Sequence, residues 1–186
     1  FNKSMPEEVN RIVCDHLSTL LFAPTISGSN NLLNEGFSED KGQCSVDYPN
    51  IYHCGDVMYD NTKYFAELAD EMNTVLDEHN LYEIPFFLST IHRGMNTDDS
   101  ERLTTLFAAL QEILDIFPEH SIVLPLHPRT AKCMENALDP VLFEAIKSNQ
   151  RFKLIDPVSY LNILALEKNC DLVITDSGGL QKEAFF

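Results

Sequence analysis

Three short polar segments hold the residues of this sequence that could do chemistry, and each follows an apolar run typical of a buried strand. They are His92-Arg93-Gly94, His127-Pro128-Arg129 and Asp176-Ser177-Gly178-Gly179. In open parallel sheets, ligands bind beyond the carboxyl ends of the strands. Because each segment lies at such an end and leads into a helical pattern, we expect the three segments to meet in one cleft.

The segment Ser177-Gly178-Gly179 is suited to binding a diphosphate. At the start of a helix it offers free N–H groups and the positive end of the helix dipole. Its glycines let the backbone approach a bulky anion without a Cβ in the way. The same glycines would also serve a plain tight turn. With a strand before and a helix after, the pattern favours neither interpretation over the other.

Charged side chains accompany this segment. His92 and Arg93 would donate hydrogen bonds to phosphate, and His127 and Arg129 repeat the arrangement one strand–helix unit later. Glu183 lies one turn into the last helical pattern, where a carboxylate could accept a ribose diol. A glutamate in a first turn also simply suits the helix dipole, and spacing alone favours that simpler explanation.

Two acidic clusters fit helix starts. Pro6-Glu7-Glu8 places proline and two acids in a first turn, and its spacing demands nothing beyond helix-start chemistry. Asp98 and Glu101 have the spacing of a capping box, and Asp99 lies between them. We predict a solvated helix start there, and no metal site.

Strand and helix patterns alternate along the chain. The strand patterns are short apolar runs, as in parallel strands covered on both faces. They lie at Leu20–Ala23, Ile51–Cys54, Phe86–Ile91, Ser121–Leu126, Phe152–Ile155 and Leu172–Thr175. The helical patterns lie at Pro6–Leu17, Val57–Asn80, Ser100–Phe117, Arg129–Asn136, Pro140–Ser148, Ser159–Asn169 and from Gly178 onward. The alternation predicts an α/β fold, a parallel Rossmann-like sheet with helices on both faces. An exposed loop is predicted at Asn34–Asn50.

Composition narrows the class of protein. The chain has 186 residues, is 44% hydrophobic, and has a length that suits one domain or one and a fraction. A formal charge of −16 disfavours nucleic acid as a partner, but a small anion can still be bound locally. No apolar run is long enough for a membrane span, and no signal peptide is visible. Five widely spaced cysteines without a Cys-x-x-Cys pair predict free thiols in a reducing cytoplasm.

Five segments, taken together and in order, resemble the non-hydrolysing UDP-N-acetylglucosamine 2-epimerases over essentially the whole chain. They are Met5–Arg11, Gly55–Asp60, Ile91–Arg93 with Asn96–Asp98, Leu126–Thr130 and Thr175–Ala184. The most specific are the Pro-Glu-Glu-x-Asn-Arg and Asp-Ser-Gly-Gly-Leu-Gln-x-Glu patterns. The resemblance implies two Rossmann-like domains in the glycosyltransferase-B arrangement, with a UDP-sugar in the cleft and no metal or redox cofactor.

The resemblance also implies a reaction and roles for residues. UDP leaves by anti elimination to give a 2-acetamidoglucal, then re-adds after the C2 proton has been replaced on the opposite face. Ser177–Gly179 would hold the diphosphate and Glu183 the ribose, while His92 would lie at the phosphate or sugar. Glu7 would be one of the catalytic acids, with its neighbour Glu8 as the alternative.

Several features depart from the family pattern. Met95 stands where the family usually has Glu, and Ile163 where an aromatic is common near the uracil, so weaker base stacking is expected. The chain opens with Phe1 and stops at Phe186 inside a helical pattern. We therefore expect residues 1–186 to be an incomplete UDP-binding domain. An N-terminal domain and the C-terminal end would be absent, and the isolated chain would be inactive.

Rival functions stay open on the sequence alone. The chain could belong to a glycosyltransferase-B-type sugar transferase, to a non-enzymatic nucleotide-binding remnant, or to a relative that acts on another UDP-sugar such as a diacetamido-uronic acid. The Pro-Glu-Glu-x-Asn-Arg helix favours the epimerase over the transferase. For the parent enzyme we expect a cytoplasmic location, a role in polysaccharide biosynthesis, and a homodimer without membrane or nucleic-acid partners.

Overall fold

The computed structural model describes residues 2–38 and 42–186, and the chain divides into two compact units, residues 1–60 and 61–186. The first unit contains α1 (Pro6–Leu17), β1 (Leu20–Ala23), α2 (Ile26–Asn34) and β2 (Asn50–His53), and α3 (Val57–Met72) begins in it. β1 and β2 pair in parallel, with Leu21 opposite Ile51. The expectation of one incomplete UDP-binding domain over residues 1–186 stays a prediction.

The second unit is built on a parallel sheet of four strands in the order β5-β4-β3-β6. Its elements after α3 are α4 (Val75–Glu78), β3 (Phe86–Thr90), α5 (Gly94–Thr97), α6 (Ser100–Ile116), β4 (Ser121–Pro125), α7 (Pro128–Ala137), α8 (Pro140–Ser148), β5 (Phe152–Ile155), α9 (Tyr160–Asn169), β6 (Leu172–Thr175) and α10 (Gly178–Glu183). The predicted α/β fold with parallel strands is confirmed.

Apolar residues of the central strands contribute to two hydrophobic cores, one on each face of this sheet. On β3, Phe86 and Leu88 pack on one face against α4, α9 and α10, while Phe87 packs on the other against α6, α7 and α8. Val123 of β4 joins the first core and Leu124 the second. Successive side chains of a strand point to opposite faces, so strands buried on both sides must be apolar throughout. The predicted helices on both faces are thereby confirmed for this unit.

Two helices lie outside the predicted pattern. α2 carries Gly28, Ser29 and two asparagines, which are poor helix formers. It forms because the Thr25 side chain accepts a hydrogen bond from the Gly28 N–H at 3.0 Å and because the helix packs on β1 and β2. α5 is a single turn after Arg93.

Two predicted helix boundaries need correction. The pattern at Val57–Asn80 is two helices, because Asn73 turns its side chain back onto the Ala69 carbonyl at 2.7 Å and α3 ends. The cap of α6 is Asp99, which accepts from the Arg102 N–H at 3.0 Å, so the predicted capping box at Asp98 is wrong by one residue.

Among the described residues, no helix has the length and apolar character to cross a membrane.

Candidate functional site

Strand order brings the three polar segments of the second unit to one edge of its sheet. β3 lies between β4 and β6, and all three run in the same direction. At the carboxyl ends, Thr90 is level with Thr175, and their hydroxyl oxygens are 2.5 Å apart. The segments that start at His92, His127 and Asp176 therefore leave neighbouring strands at the same edge.

Asp176 joins the segment after β6 to the segment after β3. Its carboxylate accepts hydrogen bonds from the backbone N–H groups of His92 and Arg93, at 3.1 and 2.9 Å, and from the Asn96 side chain at 2.9 Å. The His92 Nδ1 atom lies 3.0 Å from the other carboxylate oxygen. Burial opposes ionisation of Asp176, but these hydrogen bonds outweigh it and lower its pKa.

The start of α10 has the donors that an anion site needs. Ser177 is the N-cap, and its hydroxyl accepts from the Leu180 N–H at 3.4 Å. Gly178 and Gly179 are the first helical residues, whose N–H groups have no carbonyl partner within the helix. Gly178 has no positive φ, and the one described group that a Cβ there would meet is the Arg93 guanidinium, at 3.7 Å. The space in front of Gly178 is therefore open, with a cationic side chain beside it.

Glu183, the expected ribose ligand, lies at the end of α10. Its carboxylate accepts a hydrogen bond from the Tyr160 hydroxyl at 3.1 Å. Burial, together with the charge of Glu183, raises the pKa of Tyr160. Tyr160 at the start of α9 therefore donates to Glu183 and holds that carboxylate in place.

A cavity of about 240 Å³ opens at the same edge of the sheet. His92 and His127 line it, and Val158 and Ile163 give it an apolar wall. His127 also caps α7, because its Nδ1 atom accepts from the Arg129 N–H at 3.2 Å. An apolar lining of this kind suits a flat ring, which makes this the candidate pocket for a base.

Arg129 does not line this cavity. Its guanidinium donates to both oxygens of Asp98, at 2.6 and 2.7 Å, and the ion pair is half exposed. The pair leaves no room beside Gly94, where a Cβ would come within 3.0 Å of Asp98 and 3.3 Å of Arg129. The charge of Arg129 is thus balanced by a carboxylate in this structure, and its expected role in phosphate binding stays a prediction.

Glu7 and Glu8, the candidate catalytic acids, lie on α1 of the first unit and differ in their surroundings. Arg11 donates to Glu8 at 3.1 and 3.3 Å, and it also donates to Asp15 and Glu35. The hydrogen bond from Arg11 holds the pKa of Glu8 below its ordinary value. Glu7 is exposed and has no ion pair within the described ranges 2–38 and 42–186.

The sequence analysis placed Asp176 in a candidate segment without giving it a role, and it missed Tyr160 entirely. The signal for Asp176 was its place directly before Ser177, since a carboxylate at a strand end can accept from the neighbouring loop. Tyr160 gave no signal, because its partner lies on a different helix. No cluster of three or more His, Cys, Asp and Glu side chains that could hold a metal ion occurs in the described part of the chain.

A family model and similar relatives agree on one protein family. A family model described as UDP-N-acetylglucosamine 2-epimerase matches residues 1–186. UDP-N-acetylglucosamine 2-epimerase of Methanocaldococcus jannaschii is 40% identical over 186 residues, which are 99% of this chain and 47% of that protein. UDP-2,3-diacetamido-2,3-dideoxy-D-glucuronate 2-epimerase of Pseudomonas aeruginosa is 41% identical over 187 residues, 100% of this chain and 46% of that protein.

A solved structure agrees with this match. The Methanocaldococcus jannaschii enzyme, in complex with UDP-GlcNAc and UDP, superposes with a TM-score of 0.81 at 40% identity, covering 99% of this chain and 47% of that one. The chain spans about half the length of the curated relatives it matches. Since the family model matches every residue from 1 to 186, this chain belongs to the UDP-N-acetylglucosamine 2-epimerase family.

Proposed function

We propose that this chain supplies the UDP-binding part of an enzyme that interconverts UDP-N-acetylglucosamine and UDP-N-acetylmannosamine. The observation that carries the proposal is the meeting of His92, Arg93 and the start of α10 at one edge of the sheet, next to a cavity. Family membership and the UDP-GlcNAc and UDP bound to the Methanocaldococcus jannaschii relative support it.

Each part of UDP has a matching group along this edge. The N–H groups of Gly178 and Gly179, with the Arg93 guanidinium near the Cβ position of Gly178, suit the diphosphate. Glu183, held by Tyr160, suits the ribose diol. The apolar wall at Ile163 suits the uracil, with less stacking than an aromatic would give.

The same groups serve the proposed chemistry. Elimination breaks the bond between C1 and the UDP oxygen while the C2 proton leaves, and it yields a 2-acetamidoglucal and UDP. Negative charge grows on UDP in this step, so donors already aimed at the diphosphate stabilise the transition state more than the ground state. Re-addition of UDP, with a proton delivered to the other face of C2, completes the inversion. His92 is proposed to act at the phosphate or sugar. Glu7 of the first unit is proposed as the acid or base on the family resemblance alone.

A second sugar substrate is supported by one relative. The Pseudomonas aeruginosa protein, named for UDP-2,3-diacetamido-2,3-dideoxy-D-glucuronate, is 41% identical, as close as the relatives named for UDP-GlcNAc. The alternative substrate is therefore a UDP-diacetamido-uronic acid, with the same epimerisation at C2. The donors described above face the UDP part, which both substrates share, so the proposal for the nucleotide holds for either.

Finer expectations for the parent enzyme are part of the proposal. All five cysteines are free thiols, which supports a reducing compartment such as the cytoplasm. Nucleotide sugars of this kind are precursors of glycans, which supports a role in polysaccharide biosynthesis. A homodimer is proposed on the family resemblance alone.

Titration of the labelled chain with UDP, followed by NMR, tests the nucleotide site. We expect millimolar affinity, on the order of −4 kcal/mol, with shifts at residues 92–93, 158–163 and 177–183. Gly178→Val should weaken binding at least about tenfold, because its branched side chain fills the space for the diphosphate. It should stay folded, since Gly178 is helical and its Cβ position is open.

Gly42→Val is the matched control, because none of the described residues comes within 4 Å of a Cβ at Gly42, which lies in the other unit. It should bind UDP like the unmodified chain. Shifts confined to residues outside the 92–93, 158–163 and 177–183 segments would place the nucleotide elsewhere and overturn the proposal. Equal weakening by both valine substitutions would also count against it.

A further inference from the structure

Asp176 is an ionised carboxylate in the middle of a site that should bind an anion. Only 12% of its side chain is exposed; it accepts hydrogen bonds from the backbone of His92 and Arg93 and from the Asn96 side chain, and its Oδ1 atom lies 3.0 Å from Nδ1 of the His92 ring. A negative charge beside a diphosphate is unfavourable in itself. A carboxylate kept at this place must therefore do something that offsets the repulsion.

The contacts of Asp176 indicate the role that offsets this repulsion. It occupies the two backbone N–H groups at the end of β3, so those amides are not donors to a ligand. Its Oδ1 atom also lies 3.0 Å from Nδ1 of His92, and a nitrogen lone pair that faced a carboxylate oxygen at this distance would be repelled, so we expect the proton of the neutral ring on Nδ1. In the neutral ring the other nitrogen, Nε2, then carries the lone pair.

His92 itself is 45% exposed and lines the cavity, so its ring can reach a ligand there. Without a partner at Nδ1, a half-exposed ring would change rotamer and tautomer freely. An acceptor at one ring nitrogen fixes both the orientation of the ring and the state of the other nitrogen.

We propose that Asp176 is a positioning residue, which holds His92 with Nδ1–H donated to its carboxylate and Nε2 available to the UDP-sugar. The inference rests on the proposed function for what His92 meets in the cavity. The arrangement of the His92 ring can be measured without any ligand, so the two proposals can fail separately.

The direction of the affinity change discriminates positioning from simple charge. If Asp176 acted only as a charge, Asp176→Asn would remove repulsion and tighten UDP binding. If it positions the segment at His92, the amide cannot accept from both backbone N–H groups and Asn96, and UDP binding should weaken about tenfold. The two explanations thus predict opposite changes in UDP affinity for the same variant.

A second His–Asp pair in the same unit provides a matched control. His120 Nε2 lies 3.1 Å from Asp171, and both residues precede strands, at the opposite edge of the sheet. Asp171→Asn removes the same kind of pair away from the proposed site. It should leave UDP binding and the His92 ring unchanged.

The experiment uses the 186-residue chain with 15N-labelled histidine at about pH 8.5, where histidine rings are ordinarily neutral. The ring spectrum of the unmodified chain should show His92 as the Nδ1–H tautomer, and Asp176→Asn should shift it toward Nε2–H. UDP titrations of the unmodified chain, Asp176→Asn and Asp171→Asn follow on the same samples.

The outcomes separate the two proposals. An Nε2–H tautomer for His92 in the unmodified chain, or tighter UDP binding by Asp176→Asn, would overturn the positioning role. If the unmodified chain shows the Nδ1–H tautomer but does not bind UDP, the nucleotide site fails while the arrangement of His92 stands. Loss of the native spectrum in Asp176→Asn leaves the tautomer of the unmodified chain as the deciding measurement.

Discussion

The two adjacent glutamates on α1 show how surroundings assign roles that sequence alone leaves open. Arg11 binds Glu8 together with Asp15 and Glu35, so Glu8 is committed to holding α1 to the end of α2. Glu7 is exposed and has no such partner among the described residues, so its carboxylate can take or give a proton. Glu7 is therefore the better candidate for acid–base work.

We predict that Glu7→Gln lowers kcat at least about 100-fold in a full-length epimerase that contains this chain, because positioned acid–base groups contribute that much. The amide keeps the shape of the side chain but cannot shuttle a proton, so UDP binding should change little. Solvent deuterium incorporation at C2, measured by NMR, should fall with kcat. Glu8→Gln is the control, and near-full activity of Glu7→Gln beside an inactive Glu8→Gln would reverse the assignment.

Residue types predicted the candidate hydrogen-bond donors but not which group each of them pairs with. The cluster of His92, Arg93 and Ser177 could be read from strand ends. Arg129 forms an ion pair with Asp98, and Asp176 accepts from two backbone N–H groups. Both contacts join atoms that only the pairing of the strands brings together. Sequence spacing carries no information on such pairs until the strand order is known.

At the scale of elements, a hydroxyl pair holds the ends of β3 and β6 together beneath the site. Thr90 and Thr175 are 2.5 Å apart at their Oγ1 atoms, and the Thr175 hydroxyl also accepts from the Ser177 N–H at 2.9 Å. One side chain thus links the two strands and sets the start of the segment before α10.

We predict that Thr90→Val and Thr175→Val each reduce the free energy of unfolding by about 1–2 kcal/mol, since each leaves a hydroxyl or an N–H without its partner. The double variant should lose less than the sum, with a coupling of about 1 kcal/mol. Urea unfolding of the four proteins gives this value. Thr90 combined with Thr105, whose hydroxyl bonds within α6, is the additive control. Additivity in the Thr90–Thr175 cycle as well would show that the two hydroxyls do not interact.

Elements were predictable where local pattern and tertiary packing agree. All six strands coincide with short apolar runs in the sequence, and α1 and α8 begin at prolines. α2 was not predictable, because its glycine, serine and asparagines argue against a helix that packing and the Thr25 cap nevertheless support. The break between α3 and α4 depends on one Asn73 side chain.

For the whole molecule, the parallel α/β class followed from the alternation of strands and helices, but the strand order did not. The sheet order β5-β4-β3-β6 places the last strand beside the first one of this unit, a long-range pairing that no local pattern encodes. That pairing creates the site, because it sets the segment at Ser177 beside His92. The division into two compact units was likewise invisible in the composition.

A glutamate on α9 should make stability depend on pH. Burial, with a contribution from the charge of Glu183, raises the pKa of Glu167 to about 8, and its buried Oε1 atom has no hydrogen-bond partner among the residues that the structure describes. In the unfolded chain the same group titrates near 4.5. Between these values the folded state binds the additional proton, so the free energy of unfolding falls as pH rises from about 4.5 to about 8.

We predict that Glu167→Gln is more stable than the unmodified chain at pH 8.5 and equally stable at pH 4.5. The amide cannot ionise, so it avoids the cost of a buried charge. Because Glu167 as a residue is only partly buried, we expect a gain of about 1–2 kcal/mol. Urea unfolding at both pH values measures it. Glu135→Gln on the exposed side of α7 is the control, because it removes one of the charges behind the net −16 without relieving burial. A gain of the same size in both variants would trace the effect to general charge repulsion, and a loss for Glu167→Gln at pH 8.5 would mean that the folded state uses an ionised Glu167.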